Sequence, residues 1–185
     1  MNIRTQGEAD SGDFESLLAP HVDHLFRVAY RFTGNQEDAE DLVQDLLAKL
    51  YTRQREVAAV DRLRPWLVRV LYRQFVDDWR KRSRLRLFPG GQPEQDADPD
   101  PLSQLQAEDP GPGEETENRL TRERLEQGLA GLTRDHRAVL TLHDIEGYTL
   151  PELETVLDAP VGTLKSRLHR ARARLREVLG EDGTN

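Results

Sequence analysis

The sequence of 185 residues contains no cysteine. That excludes disulfides, thiolate metal sites and a cysteine nucleophile, and it fits a reducing compartment. Long apolar runs are missing as well. The N-terminal MNIRTQGEADSGDF carries no apolar stretch and does not read as a signal peptide. Nowhere does the chain approach the roughly 20 apolar residues needed to span a bilayer. No strand-like alternation competes with helical periodicity, and no internal repeat is visible. What is present is charge: 32% of residues are charged and 36% apolar, the balance of a soluble chain with much helix surface. The formal charge of −8 argues against nucleic-acid binding only if charge is spread evenly, and it is not.

The acids concentrate in one segment. Residues 89–118 hold six of the ten prolines and nine acidic residues, with no Lys or Arg. Such a stretch buries too little apolar surface to offset its ordering entropy, so it is expected to be a largely extended linker. It is either a plain spacer or an acidic strand that occupies a basic channel in a partner. It divides the chain into a disordered N-terminus at 1–10, a first unit at 11–88, the linker at 89–117 and a second unit at 118–181.

Both units read as all-α. Phe14, Leu17, Leu18, Val22, Leu25, Phe26, Ala29 and Phe32 follow helical spacing. Gly34 then reads as a stop and Asn35 as an N-cap, with Glu37 and Asp38 well placed in the next first turn. Ala39, Leu42, Val43, Leu46, Leu47 and Leu50 form a second apolar face. Residues 52–62 are polar and are expected to loop before a third helix that begins near Pro65 and carries Trp66, Leu67, Val70, Leu71, Phe75 and Trp79. Beyond the linker, Leu120, Leu125, Leu129 and Leu132 suggest one helix. Thr133 is placed to cap the next, which carries Ala138, Val139, Leu142 and Ile145 and closes at Gly147. Thr149-Leu150-Pro151-Glu152 has the spacing of a capping box. The short helix it opens ends near Leu157, Asp158-Ala159-Pro160 turns the chain, and a last helix presents Val161, Leu164, Leu168, Ala171, Leu175 and Val178 on one face.

Two basic clusters show how an acidic protein can meet DNA. Residues 62–86 hold nine basic residues and two acids, Asp77 and Asp78. Residues 161–176 hold six (Lys165, Arg167, Arg170, Arg172, Arg174, Arg176) with His169 and no acid. The second cluster lies on a helix that follows a short helix and a tight turn, which is the helix-turn-helix arrangement. In the first cluster the cations are interleaved with Trp66, Tyr72, Phe75 and Trp79. Aromatics beside cations suit single-stranded DNA, while the same spacing also suits a helix core. The run from Glu37 to Asp45 sets acids around an apolar stripe. It is open to three readings: a metal site lacking any His or Cys, a solvated face, or a protein-docking face.

Taken in order, GNQEDAEDLVQDLLAKLY, RPWLVRVLYRQFVDDWRKR and LTRDHRAVLTLHDIEGYTLPELETVLDAPVGTLKSRLHRARARLREVL resemble regions 2.1–2.2, 2.3–2.4 and 4 of the extracytoplasmic-function (ECF) RNA polymerase sigma factors of the sigma-70 family. The resemblance implies roles. Asp38, Asp41, Leu42, Gln44 and Asp45 would dock on the β′ clamp helices of core polymerase, and the β flap would be a further contact. The stretch 52–62, with Arg53, Arg55 and Arg62, would read an extruded base of the −10 element. Arg69, Arg73, Arg80, Lys81 and Arg82 would hold melted or upstream DNA. Lys165, Ser166, His169 and Arg170 would face −35 bases, with Thr163, Arg167 and Arg172 toward phosphates. The linker would thread toward the RNA exit channel. The chain departs from the family where Arg73 replaces a frequent Asn and Leu153 a frequent Ala.

The resemblance further implies an alternative sigma factor of a stress or envelope-signal regulon, cytoplasmic, held by an anti-sigma factor. No catalytic residue, cofactor or metal is expected, since polymerase performs the chemistry. A helix-turn-helix repressor would need a dimer or effector module in place of the front unit. A sigma-like decoy would have no need of the basic face at 165–176. An α-helical enzyme would need a nucleophile–base set that does not stand out.

Overall fold

The computed structural model describes residues 6–86 and 125–179, and every regular element among them is helical. The expected linker at 89–117 lies outside the described residues. Helix α1 (Gln6–Thr33) runs through Pro20 and begins within the N-terminal stretch expected to be disordered. Gly34 ends it in the left-handed region at φ +79, where a side chain is strained, and its N–H donates to the Tyr30 carbonyl at 2.7 Å. Asn35 then caps α2 (Gln36–Tyr51), accepting the Asp38 N–H at 2.7 Å. The stretch expected to loop contains a short helix, α3 (Gln54–Ala58). Its one buried side chain, Val57, explains the difference: an apolar anchor folds an otherwise polar segment onto α1 and α2. Helix α4 (Leu63–Arg86) carries Pro65 in its first turn, where the missing N–H costs no helical hydrogen bond.

Helices α1, α2 and α4 form the first unit. Leu25, Phe32, Leu46, Leu67 and Leu71 meet in its centre, each worth about 1.5–3 kcal/mol on full burial. Phe32 stacks on Phe75 at 5.3 Å and meets Tyr72 edge-on at 5.9 Å. Phe75 and Tyr72 of the aromatic series are therefore core, while Trp66 and Trp79 are half-buried.

The second unit comprises α5 (125–130), α6 (Arg134–Leu140), α7 (Leu150–Leu157) and α8 (Val161–Leu179). Thr133 caps α6, and Thr149 with Glu152 closes a reciprocal capping box on α7. The helix expected to continue to Gly147 instead leaves the α-helical register after Leu140. Residues Thr141–Ile145 form a π-helical turn, with the Glu146 N–H reaching the Thr141 carbonyl at 3.0 Å. Asp158, at φ 53, turns the chain from α7 into α8. Leu164, Leu168 and Ala171 seat α8 on α6 and α7.

The two units are packed together. Helix α7 lies along α4, α6 and the π turn lie against α1, and buried residues of both units belong to one contiguous core.

Candidate polymerase and promoter interfaces

Burying Leu164, Leu168 and Ala171 leaves the opposite face of α8 in solvent. Thr163, Lys165, Ser166, His169 and Arg170 are exposed there, and the Ser166 hydroxyl donates to the Gly162 carbonyl at 3.1 Å. Arg167 and Arg172 point differently. Arg167 pairs with Asp135 at 2.7 Å, and Arg172 makes a two-pronged contact with Asp144 at 2.8 and 2.6 Å. Arg172 chiefly, with His143, holds the Asp144 carboxyl below its usual range against the opposing effect of burial. The free donors of α8 are thus grouped on the side that a helix-turn-helix presents to a major groove.

On α2, Glu37, Glu40, Asp41, Gln44 and Asp45 form an exposed acidic face. Leu42 does not belong to it: its side chain is buried, and its carbonyl accepts from Gln74 at 3.3 Å. Helical spacing puts Leu42 on the same stripe as Ala39 and Leu46, so its place is the core. Asp38 is held at the edge of the face by Arg82 at 2.8 Å and by the Asn35 side-chain amide at 2.7 Å. Partial burial raises its pKa, but these two hydrogen bonds outweigh that and leave it lowered.

Arg62, just before α4, and Trp66, Arg69, Arg73 and Arg80 on α4 fall along one stripe at i, i+4, i+7 spacing. Arg80 and Lys81 pair with Asp77 and Asp78 on their own helix, and Arg53 pairs with Glu56; such exposed pairs are weak and exchange readily for other anions. Arg55 is exposed on α3. Burial, with the nearby Asp135 carboxylate, pushes the Tyr72 hydroxyl up to about 12.

The remaining cations on this side meet the second unit. Arg62 contacts Glu152 at 2.5 Å, and Arg73 reaches Asp158 at 3.9 Å. Arg69 lies between them with its Nε buried and without a hydrogen-bond partner. The Arg134 guanidinium sits 4.4 Å over Trp79. Glu146 forms a buried junction with Arg31 and with His24 at 3.1 Å, and Arg64 stands 3.9 Å away. His24 Nδ1 also lies 3.5 Å from Arg64. It cannot both accept from Arg64 and donate to the carboxylate, and the shorter contact assigns it as donor to Glu146. That hydrogen bond is the main reason the Glu146 carboxyl lies below its usual range. Arg137, also buried, donates across the boundary to the Phe32 carbonyl at 3.0 Å. Sequence reasoning missed this junction, because its partners are far apart in the chain and share no periodicity.

Among the described residues no group of acids and histidines is placed to hold a metal ion, and no helix is long and apolar enough to cross a membrane.

Two family models match the chain: Sigma-70 region 2 over residues 17–85 and Sigma-70, region 4 over residues 122–175. The chain is 32% identical to the ECF RNA polymerase sigma factor SigE of Mycolicibacterium smegmatis, covering 96% of this chain and 65% of that protein. It is also 32% identical to the ECF RNA polymerase sigma factor SigL of Mycobacterium tuberculosis, covering 95% of this chain and 93% of that one. Among solved structures it resembles the sigma factor RpoE of Bartonella quintana, determined with the anti-sigma factor NepR: TM-score 0.66, 26% identity, 92% of this chain and 99% of that one. It also resembles CnrH, determined with the cytosolic domain of CnrY: TM-score 0.59, 25% identity, 95% of each chain. Similarity of 32% over 95% of the chain, two region models in the expected order and the same helical architecture place this chain in the ECF family of RNA polymerase sigma factors.

Proposed function

We propose that this sigma factor docks on core polymerase through Asp38, Asp41, Gln44 and Asp45 of α2. It reads the −35 element through Lys165, Ser166, His169 and Arg170 of α8, and it holds the opened −10 region with Arg53, Arg55, Arg62, Arg69, Arg73, Arg80, Lys81 and Arg82. The observation that carries this reading is the segregation of charge: an exposed acidic face on α2 and an exposed donor face on α8 of one chain. Thr163 flanks the duplex-reading face, while Arg167 and Arg172 would reach phosphates after releasing Asp135 and Asp144. Major-groove readout by such donors is worth about 1–3 kcal/mol per good base contact. At −10, phosphate neutralisation and base stacking couple recognition to melting.

Polymerase supplies the nucleotidyl transfer, so the chain acts as a specificity factor with no catalytic residue, metal or cofactor of its own, in the cytoplasm where its template lies. A cognate anti-sigma factor is the further partner we infer, since the structurally similar RpoE of Bartonella quintana was determined with the anti-sigma factor NepR. The regulon would answer envelope or stress signals. Run-off transcription with purified core polymerase on a genomic promoter library tests the whole reading. New start sites sharing spaced −35 and −10 elements are expected only when the protein is present. Failure to bind core would overturn it and favour a free-standing helix-turn-helix repressor.

A further inference from the structure

Apart from proline, glycine is the least favourable residue in a helix, because it gives up the most backbone freedom and packs nothing in return. Where it stands, something should require it. Gly34 and Gly147 adopt positive φ, +79 and +75, which side chains rarely tolerate. Gly128 lets α5 meet α8, since a Cβ there would collide with Leu175. Gly162, in the first turn of α8, has neither reason. Its backbone is outside the left-handed region, and a Cβ built on it meets no atom within 4 Å. The residue is exposed. Nothing in the fold asks for glycine at 162, so the requirement comes from what binds there.

Its position says what that is. Gly162 leads the stripe of α8 that carries Lys165, Ser166 and His169, at i, i+3, i+4 and i+7. A recognition helix enters the major groove with its N-terminal turn foremost. With side chains a helix is about 10–12 Å across, and the groove is about 12 Å wide. The fit leaves little slack, and least at the leading turn. A helical Cβ is tilted toward the helix N-terminus, so one at 162 would project ahead of Ser166 and His169, toward the groove floor. The first turn of α8 also holds no acidic residue to repel a nucleic acid.

We infer, on the assignment of α8 to the −35 duplex, that Gly162 is the point of closest approach between protein and DNA. The missing side chain sets the depth of insertion, and with it whether Lys165, Ser166, His169 and Arg170 reach base edges together. Gly162 is a positioning residue: any side chain there lifts those donors off the bases. A hydrogen bond spans about 2.7–3.2 Å, so a lift of roughly 1 Å forfeits base contacts. Attraction to phosphates falls off more slowly with distance and survives the same lift. Bulk at 162 therefore costs base discrimination before it costs general affinity.

The test uses the full chain with core polymerase. Gly162→Ala and Gly162→Leu are compared with the parent on one promoter recovered from the run-off library and on a copy with its −35 element replaced. Thermal melting is followed for each protein. Ala and Leu are better helix formers than Gly at a site with open space, so Tm should hold or rise. Transcription from the intact promoter should fall about tenfold for Ala and further for Leu. Transcription from the replaced copy should change by less than about twofold, since phosphate contacts carry no sequence information. Core binding should be unchanged.

A lower Tm for Gly162→Ala would show that the fold itself needs the glycine and overturns the inference. So does parent-like transcription from both variants, and so does an equal loss on the two promoters. Arg170→Ala, run alongside, separates this from the underlying assignment. If Arg170→Ala loses discrimination where the glycine variants keep it, α8 reads the −35 element and the closest approach lies elsewhere. If none of the three variants alters discrimination while core binding persists, the −35 role of α8 fails, and the role of Gly162 with it.

Discussion

Arg137 is among the largest fully buried side chains. Its Nε donates to the Leu129 carbonyl at 2.9 Å, one Nη to Phe32 at 3.0 Å and the other to Ala130 at 3.0 Å. A guanidinium taken out of water is tolerable only when its donors are filled. Here they tie the end of α1 to the 129–132 turn that precedes α6. Arg137→Ala removes the charge and orphans several carbonyls at once, so urea denaturation should show a loss of about 3 kcal/mol. Arg137→Lys, a point charge without the fork, should recover less than half of that. A loss under about 0.5 kcal/mol for the alanine variant would place Arg137 among ordinary surface residues. Nothing in Thr133-Arg134-Asp135-His136-Arg137 distinguishes the buried arginine from its neighbour, because the carbonyls that satisfy it belong to other segments. Leu42 shows the opposite case. Its apolar spacing alone placed it in the core, and only its position inside a recognised motif suggested a docking role.

At the scale of elements, legibility followed locality. Asn35, Thr133 and the Thr149–Glu152 box act within one turn of where they stand, and each cap was readable from residues adjacent in sequence. The π turn at Thr141–Ile145 was not, since a one-residue insertion in a register alters apolar spacing too little to detect over five residues. Its consequence is visible only in three dimensions, as a buried Thr141 hydroxyl without a partner and as Asp144 reaching α8 while Glu146 reaches α1. The donor face of α8 was readable because burial of Leu164, Leu168 and Ala171 dictates its opposite side. It carries an element-level prediction. Arg170 is exposed on that face, so Arg170→Ala should lower −35-dependent transcription by the equivalent of about 1–3 kcal/mol, roughly 5- to 150-fold. Core binding, measured in parallel by fluorescence anisotropy, should be unchanged. Loss of core binding in that variant would contradict the division of labour between α8 and α2.

The packing of one unit on the other belongs to the whole molecule. It was not legible because it rests on ion pairs between residues some 82 to 122 positions apart: Arg64 with Glu146 and His24 with Glu146 mark that range. These contacts make the packed, closed arrangement of the two units sensitive to acid, and the sign can be worked out. Glu146 faces His24, Arg27 and Arg31 from α1 and Arg64 from α4, and its pKa is lowered from the ordinary 4.5 by the His24 hydrogen bond and then, against burial, by Arg31. Glu152 is lowered from the same value by its Thr149 cap contacts and by Arg62. A carboxyl whose pKa is depressed in the closed state favours that state fully above its open-state value, and the preference fades as pH falls through the closed-state value. Closure should therefore hold from neutrality down to pH 4.5, the ordinary glutamate value, and weaken below it. Energy transfer between dyes on Ala48→Cys of α2 and Glu154→Cys of α7, exposed positions in a chain without native cysteine, followed to about pH 3 alongside helicity, should decline before helicity does. Glu146→Gln cannot titrate, so its transfer should start lower at neutral pH and change less on acidification. Transfer that is flat until the helices melt would mean that the carboxylates do not hold the units together.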